Sequence, residues 1–211
     1  MYKAVLFDLD GTLLDTKEII LRTLKDFYCE YLNTTPPTDE ELIKRYIGPP
    51  LKVSFAGLIP DYLINAAIDE YRRLNNKYHD DYIKAFQKAQ ITLKKLKKKN
   101  IKTGVVSSKV HSLVKHGLFL TGLLEYIDVI IGVDDCDEHK PAAKPLLKAI
   151  SHLNVSNKQA IYVGDHPNDI QAAKNAKITS VAVTYSDFLK EILAEQPDFI
   201  IDHLDQVLDL V

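Results

Sequence analysis

Asp8 and Asp10 stand two residues apart in the run Val5-Leu6-Phe7-Asp8-Leu9-Asp10-Gly11-Thr12, directly after an apolar stretch that begins at Ala4. On an extended chain alternate side chains share a face, so the two carboxylates are expected to project together while Leu9 points away. Gly11 then lets the backbone turn tightly. Paired carboxylates at the C-terminal tip of a strand suit a divalent metal and acid–base chemistry. A strand closing in an Asx-type turn would explain one of the two aspartates but not both. A calcium-binding loop would need Gly and Glu where Leu13 and Ile19 stand, and is excluded.

Three later segments end apolar runs in the same way. Val106 is followed by Ser107-Ser108-Lys109, read as opening a helix whose N–H groups and hydroxyls could cradle a phosphate. The acidic loop Asp134–Glu138 leads through His139 to Lys140, just before Pro141, which is expected to start a helix. A cation at a helix start is unfavourable for the dipole, so Lys140 is expected to answer another negative charge. Gly164-Asp165-His166-Pro167-Asn168-Asp169 again delivers carboxylates to the mouth of an apolar run.

Such dispersed groups need a scaffold that brings them to one edge. Short runs at Ala4–Leu9, Lys102–Val106, Asp128–Val133, Ala160–Val163, Ser180–Val183 and Asp198–Ile201 read as strands, near-continuously apolar as in a parallel sheet covered on both faces. Helices are expected at Phe86–Asn100, Ser108–Leu120, Pro141–His152, Pro167–Asn175 and Asp187–Ala194. That alternation is an open α/β core, in which ligands bind beyond the strands' carboxyl ends. Residues 16–82 break the pattern. Ile20, Leu24, Phe27 and Tyr31 recur at helical spacing, as do Leu63, Ala67, Tyr71, Leu74 and Tyr78, and Thr38 with Glu41 forms a capping box. This segment reads as an inserted helical lid, with the core formed by residues 1–15 and 83–211.

Composition narrows the setting. The 211 residues are 46% hydrophobic and 27% charged, with a formal net charge of −2. Such a chain is globular and gives no reason to expect nucleic acid or an anionic membrane as partner. Cys29 and Cys136 are too few for a disulfide framework or a structural zinc site, and a reducing cytoplasm is expected. Lys94-Lys95 and Lys97-Lys98-Lys99 complement a helix C-terminus. No obligate protein partner is evident.

Taken together, Asp8-Leu9-Asp10-Gly11-Thr12, Ser107, Lys140, and Gly164-Asp165 with Asp169 resemble the four motifs of the haloacid dehalogenase superfamily. Within it the chain is similar to the phosphoglycolate-phosphatase-like group, and above all to the bacterial pyrophosphatases. Tyr46-Ile47-Gly48-Pro49, Tyr71-Arg72, Gly104–Lys109 and Lys140-Pro141 through Lys144-Pro145 carry that likeness. Ala143 departs from it, standing where the family usually has a proline. The resemblance implies a Rossmann-like open parallel sheet with an inserted all-helical cap. It also implies a magnesium-dependent phosphatase acting on a small phosphorylated metabolite or pyrophosphate. Asp8 would then be the nucleophile and Asp10 the general acid and base. Ser107, Ser108, Gly11 and Thr12 would hold the phosphoryl group with Lys140, which would also keep Asp8 ionised. Mg2+ would be held by Asp8, the Asp10 carbonyl, Asp165 and Asp169.

A carbon–halogen hydrolase would have no use for Asp10. A β-phosphoglucomutase-like sugar-phosphate mutase would keep both aspartates and differ only in its cap. A non-catalytic binding protein is disfavoured because every chemical position is intact. His139 and His166 flank the motifs, and Arg45, Tyr46, Gly48, Arg72 and His79 are the cap residues suited to reading a leaving group.

Overall fold

Ala4–Phe7 (β1) is fully buried along its length, as an aliphatic strand covered on both faces must be. It lies between Lys102–Val106 (β2) and Ala160–Gly164 (β4) in a six-stranded sheet. Val129–Ile131 (β3) extends the sheet beyond β2, while Thr179–Val183 (β5) and Phe199–Ile201 (β6) extend it beyond β4. The order is therefore β3-β2-β1-β4-β5-β6, parallel throughout, with the strand order switching sides at β1. Phe7 is level with Val105 on one side and Val163 on the other. Asp8 consequently emerges beside the ends of both neighbours, at the switch point where such sheets bind ligands.

The computed structural model describes residues 1–211, which divide into two compact units. Thr16–Lys84 forms one. Its helices are Lys17–Asp26 (α1), Asp39–Tyr46 (α2), Leu51–Phe55 (α3) and Ile64–Tyr82 (α4). Phe27 stacks on Phe55 at 5.0 Å between centroids and meets Tyr71 edge-on, giving the unit its own core. Thr38 and Glu41 cap α2 reciprocally. Leu63, expected on the apolar stripe, is exposed in the turn before α4.

Met1–Asp15 with Ala85–Val211 forms the other unit. Its helices are Ala89–Lys98 (α5), His111–Leu120 (α6), Lys144–Leu153 (α7), Pro167–Ala176 (α8) and Leu189–Ala194 (α9). Leu6, Val106, Ile131 and Tyr162 pack on Leu146, Ala149, Ala172 and Ala173, so α7 and α8 cover one face of the sheet. No helix is long and apolar enough to cross a membrane.

Several boundaries move from those expected. β1 stops at Phe7 rather than Leu9 because the Leu9 carbonyl accepts from Leu13 and Leu14 at 2.9 and 2.8 Å, folding residues 9–14 into a turn with Gly11 at φ +78°. α5 begins at Ala89, not Phe86, because Lys88 takes a left-handed conformation at φ +67°. α6 begins at His111, not Ser108, so Ser107–Val110 is a loop. α7 begins at Lys144, and Pro145 rather than Pro141 is its first-turn proline. α8 runs one residue past Asn175, to Ala176, and α9 starts at Leu189 instead of Asp187. β3 and β6 are each shorter than expected, whereas β4 and β5 gain Gly164 and Thr179.

Candidate active site

Asp8 continues the β1 ladder by one bond, its N–H donating to the Val163 carbonyl at 2.9 Å. Its side chain is buried. The Lys140 ammonium, on the loop after β3, stands 2.8 Å from Asp8 Oδ1 and 2.7 Å from Asp169 Oδ1. It also donates toward the Tyr162 hydroxyl at 3.0 Å and the Val106 carbonyl at 3.3 Å. Lys140 does answer negative charge, although no helix begins beside it.

Asp169 sits in the first turn of α8, where its Oδ2 accepts the His166 N–H at 3.0 Å. His166 caps the same helix, its Nδ1 accepting from the Asn168 N–H at 3.1 Å. Burial pushes the His166 pKa down, so the ring stays neutral and structural. His139 has a buried Nδ1 without a protein partner, and its loop borders a small cavity shared with Ser107, Ser108 and Lys140.

Asp165 is fixed from three directions. Thr12 donates its hydroxyl to Asp165 Oδ1 at 2.7 Å, and Ser186 donates to the Asp165 carbonyl. Gly11 presses so close that a Cβ there would lie 2.1 Å from Asp165 Oδ2. A Cβ on Gly164 would likewise fall 2.3 Å from that of Asp169. Both glycines make room for a carboxylate.

Carboxylate oxygens of Asp8, Asp165 and Asp169 lie within 4.8 Å of one another. Three buried carboxylates face one buried ammonium, a surplus of two negative charges if all ionise. Burial raises the Asp8 pKa to about 7; Lys140 pulls it down and Asp169 pushes it up. Lys140 alone thus fails to outweigh the desolvation of Asp8. Burial, then the charges of Asp8 and Asp169, hold Asp165 well above the ordinary carboxylate range. Burial opposes the charge on Lys140, but Asp169 and Asp8 prevail and hold its pKa well above that of a free lysine. An all-oxygen donor set with two surplus charges fits a hard divalent cation such as magnesium.

Asp10 takes a different partner. Within the turn, its Oδ1 accepts from the Lys109 ammonium at 2.8 Å. The strand ends at Phe7, so the turn rather than strand alternation places Asp10, and its charge still reaches Asp8, adding to the upward push on the Asp8 pKa. The Ser107 hydroxyl accepts the Lys109 N–H at 3.2 Å, and Ser108 lies half-buried beside it. In the helical unit Arg45 is tied to the carbonyls of Ser54 and Ala56, and Tyr46 meets the Tyr28 hydroxyl at 3.1 Å. His79 is buried at 3.0 Å from Asp80, and Arg72 lies 3.8 Å from Asp69.

Tyr162, Lys109, Ser186 and the Val106 carbonyl were not among the expected site groups. Only Tyr162 carried a signal: a tyrosine in a buried aliphatic strand must find a partner for its hydroxyl. It donates to the Val106 carbonyl at 3.0 Å, with Asp169 Oδ1 at 3.1 Å.

The family model for haloacid dehalogenase-like hydrolases matches residues 5–183. A Clostridium perfringens protein provisionally named pyrophosphatase PpaX is 41% identical over 212 residues, covering 100% of this chain and 98% of its own. Pyrophosphatase PpaX of Listeria welshimeri is 34% identical over 208 residues, covering 98% of this chain and 95% of its own. Among solved structures, a haloacid dehalogenase-like hydrolase from Streptococcus pneumoniae superposes with a TM-score of 0.86 at 25% identity, covering 99% of this chain and 98% of that one. With its switch-point carboxylates and this match over most of its length, the chain belongs to the haloacid dehalogenase-like hydrolase family.

Proposed function

We propose that the chain is a magnesium-dependent phosphatase that hydrolyses a small phosphate ester or pyrophosphate through an aspartyl-phosphate on Asp8. The observation that carries this reading is the grouping of Asp8, Asp165 and Asp169 around Lys140. The pyrophosphatase names of the relatives support the substrate class.

Asp8 attacks phosphorus as a carboxylate. Asp10 gives a proton to the departing oxygen, then takes one from the water that cleaves the acyl phosphate. Ser107 and Ser108, with the N–H groups of their loop and of Gly11 and Thr12, hold the non-bridging oxygens. Lys140 offsets the charge that Asp8 and the phosphoryl group bring together. Mg2+ bound by Asp8, Asp165, Asp169 and the Asp10 carbonyl would supply the remaining positive charge and keep Asp8 ionised at neutral pH. Thr12 and Gly11 also shape the Asp165 ligand. Residues 16–84 act in this reading as the cap that selects the substrate. Unpaired Cys29 and Cys136 suit a reducing cytoplasm.

The test is phosphate release from pyrophosphate and a panel of small monoesters, with and without magnesium, for the wild type and Asp8→Asn. Magnesium-dependent release that vanishes in the variant is expected. Release undiminished in Asp8→Asn would sink the reading.

A further inference from the structure

The site holds two ammonium groups with different liberties. Lys140 is 4% exposed, and its protons are spent on Asp8, Asp169, Tyr162 and Val106. Lys109 is 21% exposed and gives one N–H to Asp10, itself 17% exposed. It therefore keeps donors for a ligand, in a place screened less than the open surface. Its backbone is pinned at both ends: the N–H donates to Ser107 Oγ at 3.2 Å, and the carbonyl accepts from Val133 at 2.8 Å. On the phosphatase reading this anchored cation lies beside the group that protonates the leaving oxygen, 2.8 Å from Asp10 Oδ1.

We propose that Lys109 makes the site prefer substrates whose leaving group carries its own negative charge, a second phosphate or a carboxylate, over those that release a neutral alcohol. This rests on the phosphatase reading above and deepens it. In the first step an Asp8 oxygen bonds to phosphorus, the bridging P–O bond breaks, and the leaving oxygen keeps the electron pair. An alkoxide must then take the Asp10 proton to depart as an alcohol. Orthophosphate leaving from pyrophosphate takes the Asp10 proton in the same way, departing as hydrogen phosphate, and the charge left on its other oxygens is met by the Lys109 ammonium. The glycolate portion of phosphoglycolate takes the Asp10 proton at its alkoxide, while its carboxylate pairs with Lys109. In the second step a water oxygen bonds to phosphorus, its proton passes to Asp10, and the Asp8–phosphorus bond breaks. A lysine's compact charge suits this task, since it adapts to either anion.

The experiment compares kcat/KM for pyrophosphate, phosphoglycolate and ethyl phosphate, whose leaving group is a neutral alcohol with glycolate's two carbons and no carboxylate. Wild type, Lys109→Met and Lys109→Arg are measured in magnesium. Lys109→Met is expected to lose about tenfold to a hundredfold more on the anionic substrates than on ethyl phosphate, the worth of one charge-assisted contact beyond any effect through Asp10. Lys109→Arg should restore most of the loss. A loss confined to pyrophosphate would identify the partner anion as phosphate, and one confined to phosphoglycolate as carboxylate. Equal losses on all three substrates would overturn the proposal. If no substrate yields Asp8-dependent phosphate, the phosphatase reading fails on its own. Lys109 is then judged by calorimetric binding of pyrophosphate to the Asp8→Asn protein. Lys109→Met should weaken that binding at least about tenfold, and unchanged binding would overturn the proposal.

Discussion

The Lys140 ammonium lies 2.7 Å from Asp169 Oδ1, joining a loop after the third strand to the helix after the fourth. It lies 2.8 Å from Asp8 as well, so one buried cation serves two carboxylates. Removing it strands both charges in the interior. Lys140→Met should cost about 3–5 kcal/mol of unfolding free energy at pH 8 in chelator, measured by urea denaturation. The cost should shrink at pH 5, where Asp8, with its pKa near 7, takes up a proton and no longer needs the partner. Equal stability of variant and wild type at pH 8 would contradict the role given to this pair.

The carboxylate cluster makes stability depend on pH in a direction opposite to that of an ordinary surface ion pair. Asp8 is raised from 3.8 to about 7, and Asp165 is raised too, so the folded state binds more protons than the unfolded one across that window. The contribution is complete below the unfolded value and is lost as pH rises through about 7. Metal-free protein should therefore lose stability from this site between pH 5 and 8. His166, with its lowered pKa, works the other way and favours the folded state above its unfolded value near 6.5. Asp8→Asn isolates the Asp8 part: its melting temperature should fall less over the interval than the wild type's. A fall of equal size would remove Asp8 as the cause.

Magnesium should reverse that loss. A cation that binds the ionised cluster stabilises the folded state by mass action, and more at pH 8 than at pH 5, where bound protons compete. Melting curves at both pH values, with and without millimolar magnesium, provide the check. A larger shift at pH 5 would rule out these carboxylates as the ligands.

Gly11→Ala places a methyl group 2.1 Å from Asp165 Oδ2 on a backbone at φ +78°. Left-handed strain of about 1 kcal/mol is the smaller effect. Displacement of Asp165 is the larger one, and magnesium affinity should fall at least about tenfold by the measure of disturbed metal-site support. Isothermal calorimetry reads this directly. Unchanged affinity would mean that Asp165 does not hold the metal.

Tyr162→Phe tests a subtler contribution. The hydroxyl lies near Lys140, Asp169 and the Val106 carbonyl, but Lys140 retains all three of its other oxygens without it. A stability loss of about 0.5–1.5 kcal/mol is expected by urea denaturation, well short of that for Lys140→Met. A comparable loss in the two variants would show that the hydroxyl, not the lysine, organises the cluster.

Much of this molecule is legible in the chain. Aliphatic runs at Ala4, Lys102 and Ala160 can be satisfied only by burial on both faces, and the helical periodicities between them supply the cover. The Thr38 and Glu41 capping box is local chemistry and forms as its spacing requires. The presence of Asp8, Ser107, Lys140 and Asp165 at the ends of apolar segments follows from the same pattern, because parallel strands deliver their C-terminal ends to one edge.

Pairing within that edge was decided by the tertiary structure. Strand alternation relates Asp8 to Asp10 only while the strand lasts, and the turn at Leu9–Leu14 ends it at Phe7, so that turn sets where Asp10 lies. Asp8 then turns to Lys140 and Asp10 to Lys109, partners 132 and 99 residues away in the chain. Local sequence encodes burial and backbone preference. It carries no measure of the distance between atoms that meet only after the sheet has closed, so which ammonium answers which carboxylate was left to the fold.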